Sequence, residues 1–191
     1  MRWAYCKTTD FSKADMDCAY KQLSPSRKVR IDRLRRREDK ERSLAAELLV
    51  YRLLRRYWNI SAKLQSRETG EPYLENCPLH VSISHCDDLV ACAISEQPVG
   101  IDAERIRPIS MNICRHVCTP EELEYVSSDA QLPKGELCQE PEVLQRFFEI
   151  WTAKEAHFKK CGTGITNLTS VNVLSLEREG HVIDDFVIQI V

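Results

Sequence analysis

The stretch Trp151-Thr152-Ala153-Lys154-Glu155-Ala156-His157-Phe158-Lys159-Lys160 lies in a segment, residues 141–164, whose pattern predicts a long helix. Pro141 suits the first turn of a helix, where a missing N–H donor costs nothing, and Gly162 is a natural stop. Large apolar side chains recur at spacings of three and four residues, so one stripe of the helix is predicted to be buried. The stripe consists of Leu144, Phe147, Phe148, Trp151 and Phe158.

Glu155 lies in one row of this helix with Trp151 and Lys159, because the three residues are four positions apart. A carboxylate beside a buried aromatic stripe needs a cation, since an unpaired buried charge is costly. One candidate is the ammonium group of Lys159, and ion pairs at this spacing are common. The other candidate is a metal ion. The helix alone favours the ion pair, whereas a second acidic element, Asp102-x-Glu104, shifts the balance towards a metal.

The composition is that of an ordinary globular protein. Of its 191 residues, 43% are hydrophobic and 29% are charged, and this length allows one large domain or two small ones. No apolar run approaches the length of a membrane span, and the first residues lack the apolar core of a signal peptide. We therefore expect a cytoplasmic protein without a membrane partner.

The nine cysteines do not follow the pattern of a disulfide framework, because their number is odd and most lie among apolar residues. Free thiols in a reducing compartment fit this distribution best. The cluster Cys114-Arg115-His116-Val117-Cys118 offers two thiols and an imidazole to a zinc ion, but no second ligand pair stands at a recognisable spacing. The cysteines are therefore interpreted as structural.

The net charge of −2 conceals a strong asymmetry along the chain. Residues 1–67 carry 18 Lys and Arg against 8 Asp and Glu, whereas the remainder carries 9 against 21. This distribution predicts one surface for an anion and another for a cation or a metal. The basic run Arg27–Arg37 follows a helix start at Ser24-Pro25 and has two interpretations. It is a solvated helix face, which charge alone favours, or it neutralises phosphates of a nucleotide or nucleic acid.

Helical and strand patterns alternate without a regular βαβ rhythm, which predicts an α+β protein. An edge strand at residues 3–9 and a partly helical segment, Phe11–Leu23, precede the basic run. A helix from Leu44 to Trp58 is predicted next, and then a loop at Ser66–Pro78 with a short extended piece at residues 72–74. Residues 80–84 and 89–94 form a predicted hairpin with a turn at Cys86-Asp87-Asp88 and with Ser84 and His85 at its bend. The further predicted elements are a strand at 99–104, a capped helix start at Thr119-Pro120, an exposed loop at Gln131–Glu140, and a second hairpin of residues 170–176 and 182–191 around residues 177–180.

Asp102 and Glu104 are two positions apart in a strand pattern, so both carboxylates point to the same face. Two like charges side by side repel unless a cation neutralises them, and carboxylate oxygens suit Mg²⁺. With Glu155 they make three carboxylates, enough to hold a Mg²⁺ that keeps some waters and takes phosphate oxygens. The residues therefore predict a phosphate-bearing substrate bridged to Mg²⁺, whose remaining charge the basic first third neutralises.

Three motifs in this order resemble those of the Sfp-type 4′-phosphopantetheinyl transferases. They are Ser84-His85, Gly100-Ile101-Asp102-Ala103-Glu104 and Trp151-x-x-Lys154-Glu155-Ala156-x-x-Lys159. Flanking parts of the family pattern are also present, so the resemblance extends over residues 20–176. These parts are Ser24-Pro25, Arg42, Gly70-x-Pro72 and Gly162-x-Gly164-Ile165. Each motif alone is weak evidence, but the ordered set is specific.

The resemblance implies the 4′-phosphopantetheinyl transferase fold, in which two similar, pseudo-symmetric α/β halves enclose the active site in the cleft between them. Residues 1–98 would form the half that binds the coenzyme A phosphates, and residues 99–191 the half with the metal-binding carboxylates. The implied reaction transfers the 4′-phosphopantetheine arm of coenzyme A to a serine of an apo acyl or peptidyl carrier protein and releases adenosine 3′,5′-bisphosphate. The metal is Mg²⁺, or Mn²⁺ in its place, and the expected state is a monomer that serves secondary metabolism or fatty acid biosynthesis.

By similarity, Asp102, Glu104 and Glu155 surround the Mg²⁺ that holds the pyrophosphate. Glu155, directly or through a water that it orients, takes the proton from the serine hydroxyl. Lys159 offsets the charge on the leaving oxygen, and Lys154 contributes to the same site. The positions that match the family's coenzyme A-binding residues are Arg27, Arg30, Arg42, Gly70, Pro72, Ser84 and His85.

Three features depart from the family pattern. Glu71 replaces the usual basic residue between the glycine and the proline, Ala103 is small where a branched residue is frequent, and the chain ends at Val191, earlier than is usual. These departures leave open a coenzyme A-binding or carrier-binding module without turnover. An RNA-binding protein that uses Arg27–Arg37 ranks lower, because no aromatic side chains are interleaved with the arginines, and we expect no nucleic-acid partner.

Overall fold

In a computed structural model of the chain, residues 1–127, 137–165 and 167–191 are described. The protein has the mixed α+β composition that the order of its patterns predicts. It divides into two compact units, Met1–Gly100 and Ile101–Val191, and each unit has its own hydrophobic core. All nine cysteines are free thiols. Among the helices described, none has the length and apolar character needed to cross a bilayer.

The first unit is built around a three-stranded antiparallel sheet and one long helix. Its elements are β1 (Arg2–Lys7), α1 (Lys13–Gln22), α2 (Pro25–Asp32), α3 (Arg37–Tyr57), β2 (Leu64–Ser66), β3 (Pro72–Leu74), β4 (His80–Cys86) and β5 (Leu89–Ser95). The strand order β1-β5-β4 places the last strand of the unit in the middle. The helix α3 packs on β1 and β5 with an apolar face that is buried at Ala45, Val50 and Leu54.

The helix α2 begins where the sequence predicts, because Ser24 and Pro25 are suited to a helix start. The Ser24 hydroxyl accepts a hydrogen bond from the Arg27 backbone N–H, and Pro25 occupies the first turn. The hydroxyls of Ser24 and Ser26 both donate to Gln65 Oε1, at 3.2 and 3.0 Å. These bonds attach the start of α2 to the short hairpin of β2 and β3.

The hairpin of β4 and β5 is present, and its turn falls within the predicted turn Cys86-Asp87-Asp88. Ser84 and His85 belong to strand β4, where they pair with Ala91 and Val90, and not to the bend. The turn is Asp87-Asp88, with Asp87 at φ +51°. The short carboxylate side chain of aspartate tolerates this left-handed conformation better than most side chains do. The chain therefore turns at Asp87 and not at His85.

The second unit has a sheet of the same size, again with a long helix. Its elements are β6 (Ile101–Arg105), β7 (Ile109–Ser110), α4 (Met111–Val117), α5 (Pro120–Ser127), β8 (Leu137–Cys138), α6 (Pro141–Cys161), β9 (Glu179–Ile183) and β10 (Phe186–Ile190). The antiparallel order is β6-β10-β9, so the last strand again lies in the middle. The helix α6 packs on β6 and β10 and buries Phe147, Phe148 and Ile150.

Two expectations for the second unit are wrong. Residues 170–176 form no strand. The chain instead has 3-10 turns at Leu168–Ser170 and Val173–Ser175. The side chains of Asn167 and Asn172 cap these turns, because they accept from the backbone N–H groups of the second residue of each turn. Residues 182–191 are also not one strand, because the last hairpin consists of β9 and β10 and has its turn at Asp184. Of the predicted loop Gln131–Glu140, residues 131–136 lie outside the described part of the chain, and residues 137–138 form β8.

The end of α6 yields a prediction about stability. Gly162 adopts φ +66° and its N–H bonds to the carbonyls of Phe158 and Lys159, a left-handed helix cap. Gly162→Ala is expected to lower the free energy of unfolding by about 1–2 kcal/mol, because a side chain is strained in this conformation. Gly162→Asn, whose side chain tolerates the left-handed region, should lose less. Urea denaturation of both variants measures the difference, and equal stability of Gly162→Ala and the native protein would contradict it.

Candidate functional site

The three predicted carboxylates of the second unit come from β6 and from the helix packed on it. Asp102 pairs with Gln189 of β10, and Glu104 pairs with Val187, so the two acids lie on one face of the sheet. Val187 on the same face belongs to the core that α6 closes. Asp102 is buried and Glu155 of α6 is half-buried. The strand period therefore places both acids on the face to which Glu155 contributes from the helix.

The ionisation of Glu155 reflects these neighbours. Burial raises the pKa of Glu155 to about 7, and the charges of Asp102 and Glu104 add to this rise, whereas Lys159 opposes it. The three carboxylates are therefore close enough to repel one another, and Lys159 compensates only part of their charge.

Two cations of the chain lie against this group. Lys159 Nζ is 2.8 Å from Asp102 Oδ1 and donates a hydrogen bond to the Ile101 carbonyl at 3.2 Å. Arg107 Nη1 is 3.0 Å from Glu104 Oε2. The ammonium group of Lys159 thus reaches across from α6 to β6, which the spacing within the helix did not indicate.

A metal ion requires ligands of suitable chemistry and spacing. Within the three described ranges, no three His, Cys, Asp or Glu side chains are already grouped so that they could hold a metal. The donors nevertheless suit a hard divalent cation, since they are carboxylates on one face whose mutual repulsion adds to the effect of burial on the pKa of Glu155. The chemistry of this group therefore fits the metal site predicted from the sequence.

Lys154 is not directed at the carboxylates. Its side chain is completely buried, with Nζ 2.7 Å from Glu122 Oε2, and it donates hydrogen bonds to the carbonyls of Leu168 and Val171. Three acceptors satisfy the three N–H donors of an ammonium group. Although Lys154 was predicted to contribute to the reaction centre, this geometry assigns it to the attachment of α6.

Glu122 is a residue that the sequence analysis missed. Its Oε2 accepts from the Thr119 backbone N–H at 2.8 Å, and its Oε1 accepts from the Val173 backbone N–H at 2.7 Å. The pair with Lys154 therefore joins α5, α6 and the segment around Val173. A signal was present, because Thr119 and Glu122 have the spacing of a capping box at the start of α5.

In the first unit, three of the predicted coenzyme A-binding residues lie at the hairpin of β2 and β3. Arg27 is buried, its Nη1 donates to Ser66 Oγ at 3.1 Å, and its Nε is 2.7 Å from Glu47 Oε1. Arg30 is exposed, and its Nη2 lies 3.7 Å from the point where a Cβ of Gly70 would stand. Gly70 has φ +93°, a conformation that needs glycine, so it allows both the turn and this approach.

A second group forms beside the turn of β4 and β5. Arg42 Nη1 donates to the Asp87 carbonyl at 2.8 Å and its Nη2 pairs with the Asp39 carboxylate. Ser84 is buried and His85 is exposed, as expected for neighbours in a strand. Pro72 lies at the start of β3, opposite Ser66. The seven predicted coenzyme A residues therefore form one group at the β2–β3 hairpin and one beside β4.

Comparisons with known proteins identify the family. A family model described as "4'-phosphopantetheinyl transferase superfamily" matches residues 98–183, and one described as "4'-phosphopantetheinyl transferase, N-terminal" matches residues 9–97. The chain is 36% identical over 131 residues to the 4′-phosphopantetheinyl transferase gsp of Aneurinibacillus migulanus, covering 67% of this chain and 51% of the relative. It is 27% identical over 165 residues to the 4′-phosphopantetheinyl transferase Sfp of Bacillus subtilis strain 168, covering 84% and 69%.

A mammalian protein is also similar. The mouse L-aminoadipate-semialdehyde dehydrogenase-phosphopantetheinyl transferase is 28% identical over 183 residues, covering 86% of this chain and 57% of the relative. The chain thus spans between about half and about 70% of the length of these relatives. It belongs to the 4′-phosphopantetheinyl transferase superfamily, and the Sfp type recognised from its motifs is confirmed.

The buried pair of Lys154 and Glu122 yields a second prediction. Lys154→Met is expected to lower the free energy of unfolding by about 3–5 kcal/mol, because it leaves a buried carboxylate without its cation. Adding Glu122→Gln should restore part of the loss, because the amide carries no charge. Lys160→Met, at an exposed position of the same helix, is the matched control. Chemical denaturation measures all three, and native-like stability of Lys154→Met alone would refute this assignment.

Proposed function

We propose that this chain transfers the 4′-phosphopantetheine arm of coenzyme A to a serine of an apo acyl or peptidyl carrier protein and releases adenosine 3′,5′-bisphosphate. The observation that carries the proposal is the position of Glu155. This carboxylate is half-buried beside Asp102, Glu104 and Lys159, and its pKa is raised to about 7. Membership of the transferase superfamily supports the same conclusion.

The proposed architecture is two pseudo-symmetric halves, residues 1–98 and 99–191, with the active site in the cleft between them. Two features support it. In each unit the last strand lies between the first strand and the one before last, in the orders β1-β5-β4 and β6-β10-β9. Each sheet also packs against a 21-residue helix, α3 or α6.

The first half would bind coenzyme A through its phosphates. Arg27 beside Ser66 and Arg30 beside Gly70 form one cationic position, and Arg42 with the end of β4 forms another. Guanidinium groups suit phosphate because their planar N–H groups match its oxygens. In this proposal Ser84 and His85 contact the same ligand, and Gly70 with Pro72 shapes the backbone around adenine.

The second half would hold Mg²⁺, or Mn²⁺ in its place, through Asp102, Glu104 and Glu155. A bound divalent cation would neutralise the pyrophosphate and make its phosphorus more electrophilic. The residues of the chain supply the proton transfer and the remaining charge. We propose that Lys159, now against Asp102, donates to the oxygen on which negative charge develops.

The bonds and protons balance without a covalent enzyme intermediate. The serine Oγ of the carrier attacks the phosphorus next to the pantetheine arm, and a new P–O bond forms. Glu155 accepts the serine proton, directly or through a water that it orients. The bond from this phosphorus to the bridging oxygen breaks, and adenosine 3′,5′-bisphosphate leaves with that oxygen. Catalysis rests on positioning and charge neutralisation.

The decisive experiment is intact-mass spectrometry of several apo carrier proteins, each incubated with this protein, coenzyme A and Mg²⁺. We expect the mass of one phosphopantetheine arm to be added, and a chelator to prevent the addition. Size-exclusion chromatography with light scattering tests the expected monomer. No transfer to any carrier, with coenzyme A still bound in calorimetry, would instead establish a binding module without turnover.

A substitution at the proposed base provides the third prediction. Glu155→Gln should lower the rate of transfer by at least about 100-fold, because the amide cannot accept the serine proton. Coenzyme A binding should largely survive, since the phosphate-binding arginines are untouched. Glu142→Gln, at an exposed position in the first turn of the same helix, is the control and should keep native activity. Retained activity of Glu155→Gln would remove this residue from the mechanism.

A further inference from the structure

Glu47 is a fully buried carboxylate on the face of α3 that packs into the core of the first unit. Its side chain is 0% exposed, and its helical neighbours Leu44 and Val50 are buried apolar residues. Burial raises the pKa of Glu47 above its usual range, although the charge of Arg27 opposes the rise. A buried carboxylate in a core helix is costly unless it is paired and hydrogen-bonded.

The charged partner of Glu47 is Arg27, one of the proposed phosphate-binding residues, and the Tyr51 side chain also interacts with this carboxylate. Arg27 Nε lies 2.7 Å from Glu47 Oε1, and Arg27 Nη1 donates to Ser66 Oγ at 3.1 Å. Two contacts from different nitrogens fix the plane of a guanidinium group, because the group is rigid and flat. The carboxylate comes from α3 and the hydroxyl from β2, so two separate elements of the unit determine this plane.

A guanidinium group has five N–H donors, of which these two contacts use one on Nε and one on Nη1. The other donors remain for a ligand as far as the described residues are concerned. An arginine without such supports would sample many rotamers and would lose that freedom when a phosphate binds. An arginine held in place has lost most of this entropy on folding.

We propose that Glu47 is a positioning residue for coenzyme A recognition: it acts through Arg27 and holds the guanidinium plane in which the remaining N–H donors meet a phosphate group. The inference rests on the proposed function, in which Arg27 binds coenzyme A. A role in stability alone explains the pair less well, because a buried ion pair is often no more stabilising than apolar side chains of similar volume. Residues that orient metal ligands commonly change affinity about 10–100-fold when they are replaced, and we expect an effect of similar size for a residue that orients an arginine.

A double-mutant cycle with coenzyme A as the probe tests the inference. Glu47→Leu is expected to raise the Kd for coenzyme A about tenfold, and Glu47→Gln less, because its amide oxygen still accepts from Arg27. Adding Glu47→Leu to Arg27→Met should raise the Kd no further than Arg27→Met alone, because Glu47 acts only through Arg27. Calorimetry of the full chain measures each Kd.

The matched control is Glu41→Gln, which breaks an exposed pair with Arg37 on the same helix and should leave the Kd unchanged. Additive effects of Glu47→Leu and Arg27→Met, or a native Kd for Glu47→Leu, would overturn the inference. If Glu47→Leu does not fold, Arg27→Lys tests the same contact, since a lysine cannot reproduce both fixed bonds of the guanidinium; a native Kd for it would also overturn the inference. No binding of coenzyme A by the native chain would refute the proposed function instead.

Discussion

The buried contact between Lys154 and Glu122 determines how α6 is placed on the second unit. Both side chains are completely inaccessible, so neither charge is solvated and each requires the other. The lysine also donates hydrogen bonds to the carbonyls of Leu168 and Val171, and these bonds hold the segment that follows the helix. Because α6 is held in this rotation, Glu155 presents its carboxylate to the face of β6 that carries Asp102. The electrostatics of the candidate site therefore depend on an ion pair that takes no part in it.

The first unit uses the same physical device in a different setting. There the buried member is the carboxylate Glu47, and the cation that it holds, Arg27, belongs to the proposed ligand-binding surface. Each pair joins one side chain on a 21-residue helix to a second element of the same unit. In both units a buried charge is paired with a charge of opposite sign, which offsets the cost of burying it, and the pair lies next to residues of the candidate site.

Local signals in the sequence predicted much of this fold, because helix caps and side-chain periods act over a few residues. Pro141 and Gly162 bound α6 as expected, and the period of two placed Asp102 and Glu104 on one face. The errors arose where short polar side chains replaced backbone partners. Asn172 caps a 3-10 turn in a segment that alternates like a strand. The candidate site residues are predictions from motifs. Glu47 is distant in sequence from Arg27, as Glu122 is from Lys154, and only the tertiary structure brings each pair together.

Lys154 and Glu155 are adjacent in the chain but have opposite surroundings, one deep in the unit and the other at the carboxylate group. Consecutive residues of a helix are rotated by about 100° about its axis. Inserting or deleting a single residue between Pro141 and Lys154 would therefore rotate both side chains by about 100° relative to the preceding part of the helix. Lys154 would then lose its buried partner, or Glu155 would turn away from the carboxylate group. The length of this part of α6 is fixed by geometry as strictly as its residues are. Changes in chain length within the unit are therefore expected to be tolerated in the connections between its elements and not in this part of the helix.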